Sequence, residues 1–113
     1  MSDELISFED FNKIKLRIAE ITAVDEHPKA DKLVILQLKI GEETRQIVAG
    51  IKPYRPETDK LVGKKIVVVT NLEPAKLRGV ESNGMLLAVG GKEDLPFALL
   101  TVDEDVPSGL SVL

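Results

Sequence analysis

A small all-β barrel is what this sequence predicts, on three observations. Short apolar runs with the two-residue alternation of strands recur along most of the 113 residues. No stretch keeps a helical apolar period long enough to make a long helix. The first run changes phase by one residue at Ile18 and Ala19, the mark of a bulge that bends a strand so that it serves two faces of a closed sheet.

Each element can be justified in order. Ser7, with Asp10 three residues on, has the form of a capping box and opens one short helical turn carrying Phe8 and Phe11. The first strand begins near Lys13, alternates through Ile14, Leu16 and Ile18, and resumes out of phase at Ala19, Ile21 and Ala23. After a turn at His27 and Pro28, alternation at Val34, Leu36, Leu38 and Ile40 makes a second strand. Gly41, Glu42 and Glu43 connect it to a third over residues 44–51, so the two pair as a hairpin.

Residues 51–63 contain Pro53 and Pro56 and read as a loop with a helical turn near 57–61, placed to close a barrel. The fourth strand, 65–70, holds Ile66, Val67, Val68 and Val69, a run suited to burial on both faces. Residues 85–89 form the fifth. Five short strands, a bulged first one and a long connection between the third and fourth match the five-stranded Greek-key barrel called the OB-fold. The chain then reads as one domain, 1–113, with a barrel core over 7–92 and a C-terminal extension over 93–113. That extension holds a strand at 97–102, a turn at Pro107 and Gly109 and a final short strand.

Composition excludes several functional classes. A domain of this length buries roughly two thirds of its unfolded surface, so a real core is available. With no cysteine there are no disulfides, no thiolate nucleophile and no sulfur-ligated metal. The longest apolar run, 85–89, is too short to span a bilayer, and the N-terminal MSDEL is acidic where a signal peptide is basic. A cytoplasmic protein without a membrane segment is expected. His27 is the only histidine, which argues against a metal or general-base role. No phosphate-cradling GxxxxGK, nucleophile elbow or HExxH occurs, so neither an enzyme nor a bound cofactor is expected.

The net charge of −4 argues at first against a nucleic-acid partner. Its distribution reverses that. The stretch 12–92 carries all 15 bases against 10 of the 19 acids, and the remaining acids sit at the two ends. Between the fourth and fifth strands, residues 71–85 read NLEPAKLRGVESNGM and gather Lys76, Arg78, Asn71, Ser82, Asn83 and two glycines. A loop so built suits an RNA backbone, since Lys neutralises phosphate as a point charge and Arg grips it with paired hydrogen bonds. Asn71 and Ser82 can meet phosphate or a ribose 2′-hydroxyl, and Met85 offers a flexible apolar surface, unless Ser82 only caps the turn at Asn83 and Gly84 and Met85 packs in the core. Gly79 and Gly84 allow positive φ. An OB-fold binds polynucleotides with the loops joining strands 1 to 2 and 4 to 5, here 25–32 and 71–84.

Four phrases in order, DFNKIKLRIAEI, HPKADKL, VAGI and NLEPAKLRGVESNGM, strongly resemble the tRNA-binding domain family, over residues 7–110. That family includes stand-alone structure-specific tRNA-binding proteins and the C-terminal domain or separate beta subunit of methionyl-tRNA synthetase. A chain starting at Met1 with only this domain looks like a separate polypeptide, free-standing or such a beta subunit. The resemblance implies non-catalytic recognition of tRNA, with contacts carried by Asn71, Lys76, Arg78, Ser82 and Met85. In the HPKADKL phrase Asp31 and Lys32 are expected to fix the loop through side-chain to backbone hydrogen bonds rather than to touch RNA, and of the two Lys32 is the better ligand.

It also implies a homodimer through the C-terminal extension, whose Leu99, Leu100, Val102, Leu110 and Val112 need cover, unless the tail plugs its own barrel. Methionyl-tRNA synthetase is a further expected partner. Two alternatives stay open: an export-related, chaperone-like dimer that binds peptides, and a docking module of a synthetase complex. The four aromatic residues, Phe8, Phe11, Tyr54 and Phe97, all lie off the second and third strands, so recognition should rest on folded shape and phosphates rather than base stacking.

Overall fold

Leu16–Glu26 (β1) is the spine of the fold, because it is long enough to pair with two partners in succession. The computed structural model describes residues 3–92 and 95–113. The first half of β1 runs antiparallel to Lys65–Val69 (β4), with Leu16 opposite Val69 and Glu20 opposite Lys65. Its second half runs antiparallel to Val34–Ile40 (β2), which forms a hairpin with Glu43–Ala49 (β3). A register shift between Ile21 and Ala23 marks the change of partner.

The connection after β4 contains a hairpin of its own, Ala75–Leu77 (β5) with Val80–Ser82 (β6). Met85–Leu86 (β7) then returns to pair with β4. The five-stranded antiparallel sheet, in the order β3-β2-β1-β4-β7, is curled into a half-barrel consistent with the expected OB-like barrel. Ala88–Val89 (β8) pairs separately with Ala98–Leu99 (β9).

The inward face of the curl carries the core. Ala19, Ile21, Val34, Leu36, Leu38, Ile40, Ile47, Ile66 and Val68 are essentially sealed from solvent. Each fully buried side chain of the Leu, Ile or Val type adds roughly 1.5–3 kcal/mol of transfer free energy. Thr58–Leu61 forms a 3-10 turn at the expected place and inserts Leu61 into the same cluster, closing one end. At the N-terminus, Ser7 Oγ accepts from the Asp10 backbone N–H at 3.0 Å, so the predicted cap forms over Phe8–Phe11.

The structure corrects the sequence reading in three places. The bulge lies between Ile21 and Ala23, not at Ile18 and Ala19. Ile18 is buried yet stands outside the core cluster, and the C-terminal segment pairs with β1 along its backbone edge at this point. Ile18 N–H donates to the Leu110 carbonyl at 2.9 Å, and Gly109 N–H donates to the Ile18 carbonyl at 2.7 Å. The apolar phase slip thus records a residue buried outside the main core cluster, where the tail pairs with β1.

The run 85–89 is two short strands, because the chain leaves β4 to meet β9. The predicted strand 97–102 shrinks to Ala98–Leu99, and the last strand to a single bridge between Ser111 and Arg17. Phe97 and Leu99 pack against the chain's own core, so part of the extension covers its own barrel. Its first two residues, Glu93 and Asp94, lie outside the described residues.

Candidate nucleic-acid interface

The connection between β4 and β7 is organised around one tight turn. Arg78 and Gly79 lie between β5 and β6 with φ of +53° and +89°, the left-handed values that a type I′ hairpin demands. Asn or Gly is the usual first residue of such a turn, and a longer side chain there costs roughly 1–2 kcal/mol. Arg78 is the only described residue other than glycine with positive φ. Its side chain leaves the hairpin tip towards the β1–β2 loop, where Nη2 approaches the Lys29 carbonyl at 3.4 Å.

Between the tip and that loop lies an open cleft of about 500 Å³ lined by Lys29, Ala30, Asp31, Lys32, Leu33 and Arg78. Three cations face one acid there. Among the described residues, none of Lys29, Lys32, Lys76 and Arg78 forms an ion pair.

The six residues singled out from the sequence fall into different settings. Lys32 and Arg78 line the cleft, on opposite sides. Lys76 is exposed on β5, opposite Glu81, next to the cleft rather than in it. Met85 is half exposed on β7, opposite Val69.

Asn71 spends its amide on the chain itself: Nδ2 donates to the Lys13 carbonyl at 2.6 Å and Oδ1 accepts from Lys15 N–H at 2.9 Å. Ser82 is buried at 6% exposure, and its hydroxyl accepts from Val48 N–H at 2.9 Å and donates to the Gly84 carbonyl at 3.2 Å. With Asn83 N–H donating to the Gln46 carbonyl at 2.8 Å, Ser82 thereby seals the open edge of β3.

Gly84, at φ +133°, is held so closely that an added Cβ would meet the Val69 carbonyl oxygen at 3.1 Å. Asn71, Ser82 and Gly84 therefore aim the hairpin, and the cations carry the charge.

Sequence reasoning passed over Lys29 and the second role of the HPKADKL phrase. The side-chain-to-backbone bonds of the β1–β2 loop come from His27, not from Asp31 or Lys32. A signal was available: a histidine just before proline at a strand end has an acceptor nitrogen placed for the N–H two residues on, as an Asx turn has. Among the described residues no group of three or more His, Asp or Glu is placed to hold a metal ion. No helix in them is long and apolar enough to cross a membrane.

The chain matches the model of the "Putative tRNA binding domain" over residues 16–111. It belongs to that family. A methionine--tRNA ligase from Caldanaerobacter subterraneus is 51% identical over 110 residues, covering 96% of this chain and 17% of that protein. One from Methanococcus aeolicus is 53% identical over 110 residues, covering 96% of the chain and 16% of the ligase. The chain thus spans about a sixth of the length of these curated relatives.

Among solved structures, a MetRS related protein from Pyrococcus horikoshii superposes with a TM-score of 0.88 at 36% identity, covering 98% of this chain and all of that one. The chaperone CsaA from Bacillus anthracis does so with a TM-score of 0.81 at 29% identity, covering 97% and 100%. The tRNA-binding domain therefore accounts for nearly the whole described chain. As an accessory module it is non-catalytic.

Proposed function

We propose that this chain binds tRNA by laying the sugar-phosphate backbone of the folded RNA across the rim formed by the β1–β2 loop and the β5–β6 hairpin. The observation that carries this reading is the convergence of Lys29, Lys32 and Arg78 on one cleft, free of ion pairs among the described residues. Lys76 extends the cationic surface along the hairpin. Each neutralised phosphate releases condensed counterions, so affinity falls steeply with salt. The exposed faces of β2 and β3 carry no aromatic ring on which bases could stack, which favours recognition of shape over sequence.

A gel-shift titration with folded tRNA, duplex RNA and single-stranded RNA at several salt concentrations tests the reading. Preference for tRNA with a steep salt slope is the expected outcome, and salt-insensitive binding, or equal binding of all three, refutes it.

The finer statements rest on the same argument. We propose a homodimer, on the observation that the N-terminal turn and the tail leave apolar side chains uncovered around one groove. Phe11, Ile14 and Leu113 line it with Val112, while Leu5, Ile6 and Phe8 stand exposed nearby in sequence. A two-fold copy seated there would cover them and bring two weak sites together, with a gain in avidity. Sedimentation as a monomer at micromolar concentration defeats it. The similarity to the ligases supports association with methionyl-tRNA synthetase, and the further proposal is that it takes place in the cytoplasm. Co-purification from cytosol that is lost on trimming residues 97–113 would support it.

A further inference from the structure

His27 is buried at 7% exposure, and both ring nitrogens are engaged. Lys29 N–H donates to Nδ1 at 3.0 Å, and Nε2 lies 2.9 Å from the Leu77 carbonyl oxygen. A backbone N–H only donates and a carbonyl only accepts, so the two partners dictate the neutral ring with its proton on Nε2. They belong to different loops, 50 residues apart.

The Leu77 carbonyl is part of the peptide plane that leads into Arg78, and φ of Arg78 is the rotation that follows it. Holding that plane holds the left-handed turn that aims the guanidinium. The circuit closes on the other side, because the Arg78 guanidinium reaches back to the carbonyl of Lys29, whose own N–H is bound to the ring.

We infer that His27 is a positioning residue that locks the two loops at a fixed separation, so that Arg78 stands beside Lys29 and Lys32 as one preorganised site for adjacent phosphates. The inference rests on the tRNA-binding reading above. Without the ring, the cations are all still present but the hairpin tip is free to swing, and ordering it becomes a cost of binding.

The two nitrogens can be separated by substitution. His27→Asn keeps an acceptor for Lys29 N–H but is too short to reach Leu77, whereas His27→Gln can bring an amide N–H to the Leu77 carbonyl. Binding of folded tRNA is measured for both, for Arg78→Ala, and for His27→Asn combined with Arg78→Ala, each across a salt series.

The expected result is that His27→Asn weakens binding about three- to tenfold, the worth of one hydrogen bond. Its salt slope should fall by about one. His27→Gln should recover most of the loss, and His27→Asn should add nothing once Arg78 is gone. Losses that add in the double variant, or a glutamine no better than asparagine, overturn the inference while leaving the binding site intact. An Arg78→Ala variant that binds tRNA like the parent sinks the site itself. Should the asparagine variant not fold, ring nitrogen NMR of the unsubstituted protein decides. A proton on Nε2 and a bare Nδ1 at neutral pH are expected, and the opposite tautomer refutes the clamp.

Discussion

The cations of the loop rim and those that tie down the tail and the strand ends have the same chemistry and opposite employment. Around the tail, Lys65 Nζ donates to Asp105 Oδ1 at 2.9 Å and to the Val106 carbonyl at 2.6 Å, and Arg17 Nε donates to the Gly109 carbonyl at 3.0 Å. Lys52 is paired with Glu26, and Arg45 with Glu43. These groups spend their charge on closing the fold. At the rim, Lys29, Lys32, Lys76 and Arg78 form no ion pair among the described residues, and one of them is held in a backbone conformation that L-residues avoid. Charges left unpaired next to one another, at a local conformational cost, support the proposal that this surface meets a polyanion.

The largest expected effects break this contrast directly. Lys76→Ala combined with Arg78→Ala should weaken binding to many tRNAs alike by roughly 1–3 kcal/mol and flatten the salt slope by about two. Lys65→Ala should leave binding unchanged and lower the melting temperature. Equal losses of binding from the two sets, measured by gel shift, would erase the distinction between rim and tail.

Comparable in size, but in stability, Ser82→Ala should cost about 1–3 kcal/mol in chemical denaturation, because it leaves the buried Val48 N–H without its acceptor. A stable Ser82→Ala protein with impaired tRNA binding would instead make the hydroxyl a direct ligand.

Arg78→Asn sharpens the comparison because its two effects have opposite signs. An Asn-Gly pair is the favoured type I′ turn, so stability should rise by about 0.5–1 kcal/mol while affinity falls. A calorimetric scan and a gel shift on the same sample check both.

The smallest effect lies on the tail. The hydrogen bond from Lys65, and then its charge, hold the Asp105 carboxyl below the ordinary carboxylate range. A depressed carboxylate stabilises the fold above its unfolded pKa of about 3.9, and that contribution is lost as pH falls through the lower folded value. The melting-temperature gap between the parent protein and Asp105→Asn should therefore be small and positive at pH 7. It should close in strongly acidic solution.

Legibility divides along similar lines. Strands β2, β3 and β4 stood out in the sequence because one-face or two-face burial repeats with the pleat, and the cap at Ser7 and the turn at Leu61 stood out because local chemistry specifies them. The first strand was legible except for its bulge, since alternation cannot tell a change of register from a residue buried outside the core cluster, as Ile18 is. At the rim, Lys32, Lys76 and Arg78 were legible by charge. The hairpin inside the connection was not, because Ala75–Leu77 and Val80–Ser82 are too short to show a period. Asn71 read as a ligand and Ser82 as a ligand or a turn cap by polarity, but their partners, Lys13 with Lys15 and Val48, lie far off in the sequence.

By itself, the sequence determined that the chain is an all-β domain with a basic middle and acidic ends, because side-chain alternation and charge are local properties. Only the tertiary structure decided which polar groups are consumed in holding the loops and which are left for a ligand. Hydrogen-bond satisfaction depends on which segments meet, as Leu77 meets His27 and Ser82 meets Val48.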